Sequence, residues 1–373
     1  MNVLNDFWND DDQELANIDV LENCVNCENI SAAQRLECDS IIRTKGTPQI
    51  CFRPEYLTVS DLVKQQWCEQ QLVYSLDPGI YLIRAPPGMV VDIEETPEQK
   101  LVKKKGSDIH FQRELEIQVP IQVNIETKED DWGVKFLNLQ FAVQSFYNGN
   151  RLAREIPVFG VPFDKDVFVY GIIDELQYNL NEYTVIITEL KTRRNSFPPK
   201  QGQIRKDKYQ VSLYAQLFND LVEGRFSKEL MAAKLQLNIN AQFSKSVMKH
   251  ITQSRINSAN KIHTLGALID AVLTQVQAMP PVHFAKVEYI HQETKQVISV
   301  VDFCLDFQSL AEQYSRHIEW WLAKRGTAGV EVEDCWKCSY CLFSEFCEWR
   351  KVMAERATKE AYRTKCVTDA SLR

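Results

Sequence analysis

Three charged side chains mark the ends of two neighbouring strand-like segments in this chain of 373 residues. Asp174 ends the apolar run YGIID, and Glu189 and Lys191 end the next one, VIITELK. Residues two apart in a strand face the same side, so Glu189 and Lys191 project together. Buried charges are costly unless something pairs with them. A divalent cation would satisfy both acids, and oxygen ligands of this kind suit Mg²⁺ or Mn²⁺.

The pattern favours hydrolysis of a phosphodiester. A metal held by Asp174 and Glu189 lowers the pKa of a bound water and stabilises developing negative charge. Lys191 adds positive charge beside the phosphate, where the transition state is negative. The competing interpretation is an ordinary ion pair at a sheet edge, because a Glu-x-Lys triplet is common by itself.

Two helical patterns carry further candidates. His110 and Glu114 stand four apart in the first, and such residues share one face of a helix. Gln210 and Tyr214 have the same spacing in the second. An imidazole beside carboxylates is a usable ligand for Mg²⁺ or Mn²⁺, whereas either pair alone is equally consistent with packing.

A separate metal site is indicated by the run Cys338, Cys341 and Cys347, with the spacing C-x2-C-x5-C. Three thiols are one ligand short of a tetrahedral site, so a fourth ligand is expected from elsewhere in the chain. Four thiolates hold either zinc or an iron–sulfur cluster. Cys335 is a competing ligand, and a lone Cys24-x2-Cys27 pair is weak evidence for a second site.

The charge is unevenly distributed. Residues 1–39 hold ten acids against one base, which leaves residues 40–373 close to neutral although the net charge is -8. We expect residues 1–50 to be a disordered acidic tail that docks on a partner, for which a single-strand-binding protein is the candidate.

Basic residues cluster on both sides of the metal motif, which predicts a groove for single-stranded DNA, with solvated surface as the alternative. These residues are Lys103, Lys104, Lys105, Arg193, Arg194, Arg205, Lys206 and Lys208. The aromatic residues Trp132, Phe197 and Tyr209 offer rings for base stacking, but core packing is the expected role of each.

The expected compartment of the protein is inferred from signals that the sequence does not contain. It has no run of eighteen apolar residues, so we expect no membrane contact. The acidic N-terminus resembles neither a secretory signal nor an Arg-rich transit peptide, so the cysteines are expected as metal ligands or free thiols. We expect a nuclear protein, and the sequence leaves the cytosol and the mitochondrion open as further locations.

The elements that position these residues follow an α/β pattern, with helical and strand-like segments alternating from residue 231 onward. Ser60 is the predicted N-cap of the first helix, and the strands 166–176 and 183–190 are expected to form a hairpin. The predicted helices are 55–75, 106–119, 203–222 and 307–325, with a further strand at 154–160.

The motifs G-x3-H-x3-E, I-x-D, E-x-K and Q-x3-Y, in this order, resemble those of the RecB-type branch of the PD-(D/E)XK nucleases. The resemblance implies a restriction-endonuclease-like α/β core, a central mixed sheet flanked by helices. It also implies the site: metal ligands His110, Asp174 and Glu189, the catalytic Lys191, and the supporting residues Glu114, Gln210 and Tyr214. Ile173 stands where the family's motif has proline.

A lone Cys68 in QQWCEQQ, together with WKCSYCLFSEFCEWR, resembles the iron–sulfur subgroup and within it the exonuclease V family. Supporting runs are KEDDWGVKFLN, GIIDEL, ELKTRR, YQVSLY and VEYIHQET. The resemblance implies a [4Fe–4S] cluster on Cys68, Cys338, Cys341 and Cys347. Structural zinc usually draws on two local cysteine pairs, so the isolated Cys68 favours the cluster over zinc.

The resemblance extends over about residues 50–352. It implies a single nuclease domain over 51–352, whose N- and C-terminal parts are joined by the cluster, followed by a C-terminal tail over 353–373. The implied activity is that of a Mg²⁺-dependent, monomeric exonuclease of single-stranded DNA in DNA repair. The alternative is a non-catalytic iron–sulfur or zinc module that binds single-stranded nucleic acid. Cutting polarity, exonuclease against endonuclease action, and one metal against two stay open.

Overall fold

The computed structural model describes residues 46–89, 93, 96–116, 123–179, 181–253 and 262–371, with side chains to residue 359. The chain forms two compact units. The described part of the first comprises Arg53–Val63 and Thr96–Ile318, and that of the second lies within residues 46–52, 64–95 and 319–371. Most of the predicted acidic tail, including the Cys24–Cys27 pair, lies outside the described residues.

The first unit holds all of the described strands, and the helices are distributed over both units. The helices are α1 (Pro48–Phe52), α2 (Val59–Leu76), α3 (Pro78–Leu82), α4 (Pro97–Leu115), α5 (Lys128–Tyr147), α6 (Gln201–Val222), α7 (Lys228–Leu235), α8 (Lys245–Gln253), α9 (Leu265–Val276), α10 (Phe307–Trp321) and α11 (Glu348–Ser371). The strands are β1 (Leu57–Thr58), β2 (Leu152–Gly160), β3 (Val169–Asn179), β4 (Thr184–Arg193), β5 (Val282–His291) and β6 (Val297–Cys304).

The strands form one mixed sheet in the order β1-β3-β4-β5-β6, with β2 also paired to β3. Strand β3 is parallel to β1 and antiparallel to β2 and β4. Strand β4 is parallel to β5, which is antiparallel to β6. Helix α6 packs against β2, β3, β4 and β5, and α5 packs against β2 and α9. The predicted α/β fold with a central mixed sheet flanked by helices is confirmed.

Strands β3 and β4 form the predicted hairpin, but they pair over only half of their length. The last paired residues toward the middle of β3 are Glu175 and Thr188. Asp174, directly before Glu175, and Glu189, directly after Thr188, lie just beyond this pair, at the point where the two strands separate. The fold therefore places both acids where backbone pairing ends.

The starts of α4 and α2 differ from the predicted residues 106 and 55, because the capping residues lie elsewhere in the chain. Helix α4 begins at Pro97, where Thr96 and Gln99 form a capping box. The block of three lysines at 103–105 therefore lies inside the helix that carries His110. Helix α2 begins after Thr58, whose hydroxyl accepts a hydrogen bond from the Asp61 backbone N–H, so the predicted N-cap Ser60 is wrong.

Two long helices, α5 and α11, were not predicted, and α10 is shorter than expected. Helix α5 is buried on most of its sides, so its apolar residues form no single stripe. Helix α11 includes most of the predicted C-terminal tail. Helix α10 ends at Trp321 rather than at residue 325. In the part of the chain that the structure describes, no helix is both long and apolar enough to cross a membrane.

Candidate active site and cysteine site

The separation of β3 and β4 gives Asp174 its position. The Leu190 backbone N–H donates to Asp174 Oδ2 at 2.8 Å. A side-chain carboxylate thus takes the place of a carbonyl oxygen in the ladder. This bond fixes the carboxylate beside β4, one residue from Glu189.

A group of three potential metal ligands includes Asp174. His110, Glu155 and Asp174 each offer a ligand atom, and these atoms all lie within 4.8 Å of one another. His110 Nδ1 is 3.8 Å from Asp174 Oδ2. An imidazole with two carboxylates suits Mn²⁺ or Mg²⁺, so these residues fit the divalent cation that the motifs predict.

Glu155 is the site residue that sequence reasoning missed. It lies in β2 between two paired residues, Arg154 opposite Glu175 and Ile156 opposite Ile173. Its φ is 53°, in the left-handed region that a residue other than glycine rarely adopts. Such backbone strain is concentrated at functional sites. The sequence around Glu155 contains no pattern that predicts this conformation.

Glu189 and Lys191 belong to a buried polar network between β4 and α6. Lys191 Nζ is 2.9 Å from Glu189 Oε1, and their side chains are 1% and 0% exposed. Gln210 Nε2 donates to Glu189 Oε1 at 2.8 Å and to the Tyr214 hydroxyl at 3.1 Å. The structure thus brings together four of the predicted site residues, and Glu189 contacts Lys191 and Gln210.

Tyr214 remains a neutral partner in this network. Burial, with added repulsion from the carboxylates of Glu189 and Asp174, raises the pKa of Tyr214 well above its usual value. The ring fits against β3 because residue 171 is glycine: a Cβ there would lie 2.7 Å from the Tyr214 ring and from Val59. The phenol is therefore held protonated beside Gln210.

Helix α4 is held against the sheet by contacts that fix His110. A Cβ at Gly106 would lie 3.2 Å from the Thr192 hydroxyl, so this glycine permits a close approach to β4. Ile109 packs with Leu190 and Ile290. Arg113 lies 3.3 Å from Glu175 and 3.6 Å from Glu288. Glu114 is half-buried one turn beyond His110 on the same helix.

The predicted DNA-binding residues differ in their exposure. Arg194 and Arg205 are exposed, as is Lys104, and Lys103 is half-buried. Contacts are described for Lys105 with Glu293, Lys206 with Asp207, Lys208 with the Phe303 ring and Arg193 with Gln203. Arg193 is buried.

The aromatic candidates also differ in their exposure. Trp132 and Tyr209 are buried in the core, as expected. Phe197 is 75% exposed, in the loop that directly follows β4, so the expectation of core packing is wrong for this residue.

The four cysteines of the resemblance line one cavity of the second unit. Cys68 lies inside α2 but has the extended backbone angles φ -166° and ψ 108°. The helix is therefore interrupted at the residue that carries the predicted ligand. The backbone amides of Gln71 and Gln70 lower the pKa of Cys68, against the larger effect of burial.

The thiols are buried close to one another. Burial, with repulsion from Cys347 and Cys338, raises the pKa of Cys68 to about 11. Burial and the same kind of repulsion raise the pKa of Cys341 to about 12. Burial also raises the pKa of Cys338. Four sulfurs that line one cavity fit a thiolate-bound metal group. Cys335 is exposed.

Comparisons with known proteins bear on the family to which this chain belongs. The solved structure named "Crystal structure of SSO0001" matches 83% of this chain and 95% of that chain, at 12% identity and a TM-score of 0.33, a likeness too distant to carry an argument. Exonuclease V of Danio rerio is 32% identical over 318 residues, which cover 85% of this chain and 76% of that protein. The sequence profile of the family described as "Exonuclease V - a 5' deoxyribonuclease" matches residues 50–184 and 179–350. The chain therefore belongs to the exonuclease V family, a family of nucleases.

Proposed function

We propose that this protein is a divalent-metal-dependent exonuclease of single-stranded DNA that acts in DNA repair. The observation that carries the proposal is the group His110, Glu155 and Asp174, placed beside the Lys191–Glu189 pair where β3 and β4 separate. Family membership supports a nuclease, and this site supplies the charges that phosphodiester hydrolysis requires.

The metal is expected on His110, Glu155 and Asp174, with Glu189 on the adjoining strand. A divalent cation bound there supplies Lewis-acid stabilisation of the phosphate charge and a water of lowered pKa. The chain's own contribution is to keep the acids in fixed positions: the Leu190 N–H orients Asp174, and the Gln210 amide orients Glu189. Fixed groups need no reorganisation during the reaction.

Lys191 is the expected catalytic cation. Its Nζ lies 2.9 Å from Glu189 Oε1 and its side chain is 1% exposed, so the ion pair lies in low-dielectric surroundings. A preorganised positive charge in such surroundings stabilises the negative charge that develops on the phosphate. Tyr214 and Gln210 support Lys191 indirectly, because both belong to the hydrogen-bonded network around Glu189.

Single-strand binding is proposed from the loop beyond β4. Phe197 offers an exposed ring, and Arg194 is exposed three residues before it. A stacking ring beside cationic side chains is a typical way to hold unpaired bases. Arg193 holds the start of this loop through its bond of 2.6 Å to Gln203 Oε1.

The proposed cofactor of the second unit is a [4Fe–4S] cluster on Cys68, Cys338, Cys341 and Cys347. Structural zinc usually draws on two local cysteine pairs. The position of Cys68, 270 residues before Cys338, supports the cluster instead. Zinc is the alternative, and metal analysis of anaerobically purified protein decides between them.

The test of the proposed function is a time course with Mg²⁺ on linear and circular single strands, the linear ones labelled at either end. An exonuclease that needs a free end degrades the linear strands and leaves the circles intact, and the end that releases label first gives the polarity. Cutting of circles at the linear rate would contradict exonuclease action. Binding of the linear and the circular strands without any cutting would support the alternative, a non-catalytic module that binds single-stranded nucleic acid.

A further inference from the structure

A buried lysine lies in the wall of the cysteine cavity. The Lys337 side chain is 6% exposed, and it lines the cavity beside Cys338. Its Nζ donates to the Trp67 carbonyl oxygen at 3.2 Å and lies 4.3 Å from the centre of the Trp67 ring. Trp67 directly precedes Cys68, and Lys337 directly precedes Cys338.

This hydrogen bond joins two segments that are 270 residues apart in the chain. One segment carries Cys68 and the other carries Cys338. The backbone next to the first sulfur is therefore tied to the side chain next to the second, without any metal. The bond thereby keeps the segments that carry two of the four sulfurs beside the same cavity.

The charge of Lys337 has a second consequence. Four thiolates around Zn²⁺ or around an oxidised four-iron cluster leave a net charge of about -2 in the site. A buried net charge is costly without a compensating one. Among the described residues that line this cavity, Lys337 is the one buried cation, since Arg350 is exposed. Asp334, at 3.0 Å from the Lys337 ammonium, offsets part of its charge.

We propose that Lys337 is a positioning residue of the cysteine site, whose ammonium group holds the Cys68 and Cys338 segments together and compensates the negative charge of the bound metal group. The inference rests on the proposed four-cysteine site, and it holds for zinc as well as for an iron–sulfur cluster. It predicts that removal of the charge changes the bound group itself, beyond any effect on DNA cutting.

The experiment uses the full chain, reconstituted anaerobically with iron and sulfide. The variants are Lys337→Met, which removes the charge, and Lys337→Arg, which keeps it. The control is Lys351→Met, because Lys351 is an exposed lysine of α11 that lies over the Phe346 ring. The readouts are iron per chain, the reduction midpoint of the bound group, and the half-life of iron release to a chelator.

Lys337→Met is expected to disfavour reduction at least tenfold, about 59 mV for a one-electron couple, and to release iron at least tenfold faster. Lys337→Arg and Lys351→Met are expected to stay near the wild type. A Lys337→Met protein that equals the wild type in both readouts would overturn the inference. So would equal losses in Lys337→Met and Lys337→Arg, because shape rather than charge would then matter.

Metal uptake separates failure of the inference from failure of the proposed cofactor. If the wild type takes up zinc and no iron, the cluster is refuted, and faster zinc release from Lys337→Met than from Lys337→Arg supports the inference. If the wild type takes up neither metal, both fail. If the wild type takes up iron and Lys337→Met takes up none, uptake by Lys337→Arg supports the role of the charge, and no uptake by Lys337→Arg overturns it.

Discussion

Lys191 and Glu189 show at the residue scale why burial matters to this site. A surface ion pair would contribute little, whereas these side chains are 1% and 0% exposed. Neither charge can lose its partner without leaving the other uncompensated in a low-dielectric environment. The same pair that the sequence presents as a common Glu-x-Lys triplet is thus set apart by its surroundings, which no local pattern reveals.

Replacement of Lys191 by Met is expected to reduce both stability and cutting. The lone Glu189 carboxylate should lower the free energy of unfolding by about 3–5 kcal/mol. Loss of the cation should lower the single-turnover cutting rate by about 10²–10³-fold. Denaturant unfolding and cleavage of labelled DNA measure the two effects.

The double variant Glu189→Gln with Lys191→Met separates these effects. It removes both charges, so it should regain most of the lost stability and none of the cutting. The account of the pair is wrong if Lys191→Met is as stable as the wild type, or if the double variant cuts normally.

The backbone conformation of Glu155 is expected to lower the stability of the fold, and its carboxylate is expected to strengthen metal binding. Asn tolerates a positive φ better than most residues, so Glu155→Asn should be about 1 kcal/mol more stable than Glu155→Gln in metal-free protein. Both variants should bind Mn²⁺ more weakly than the wild type, because each lacks the carboxylate. Thermal unfolding and calorimetric titration measure these quantities. Unchanged Mn²⁺ affinity in both variants would exclude Glu155 as a ligand.

At the element scale, α4, β3, β4 and α6 position the site, and most of them could be predicted from the sequence. The hairpin and α6 follow from strict period-2 and amphipathic patterns. The start of α4 was missed because its capping box at Thr96 lies ten residues before the predicted start at Gly106. Helix α5 was missed because it is buried on most of its sides.

Gly171 couples β3 to α6, and its replacement by Ala tests that packing. The added Cβ would meet the Tyr214 ring and Val59 at 2.7 Å, so stability should fall by about 1–3 kcal/mol and cutting should fall with displacement of Tyr214. Gly326→Ala is the control, because nothing lies within 4 Å of a Cβ there. Equal stability of the two variants, by denaturant unfolding, would contradict the close approach.

At the scale of the whole molecule, each of the two sites combines residues that the sequence reveals with one that it does not. The order of the motifs indicated His110, Asp174 and the cysteines, because their spacing repeats a family pattern. The roles proposed for Glu155 and Lys337 rest on long-range contacts, which depend on the pairing of β2 with β3 and on the fold of the second unit. Their roles become visible only when distant segments are placed together.

Alkaline pH is expected to destabilise the metal-free protein more than the loaded one. The pKa values of Cys68 and Cys341, about 11 and about 12, exceed the usual 9.0, so the folded chain retains protons that the unfolded chain loses. Their contribution is complete below pH 9 and is lost as pH rises toward 12, by about 1.4 kcal/mol per thiol and pH unit.

Denaturant midpoints of stripped and loaded protein, compared between pH 7.5 and 10.5, test this dependence. A bound metal keeps the sulfurs deprotonated throughout this pH range, so the loaded protein should lack this part of the decline. Lysines and tyrosines titrate in both forms, so their effects on stability cancel in the comparison. Parallel curves for the two forms would show that the thiols are not bound by the metal.

The central claim is that the acids where β3 and β4 separate hold a metal that cuts DNA, and the single-turnover cutting rate of Asp174→Asn with Mg²⁺ tests it most directly. The amide keeps the shape of the side chain but removes the charge, so the rate should fall by at least about 10³-fold. Asp302→Asn, on the exposed edge strand β6, is the matched control and should cut like the wild type. An Asp174→Asn protein that cuts within tenfold of the wild type would contradict the account.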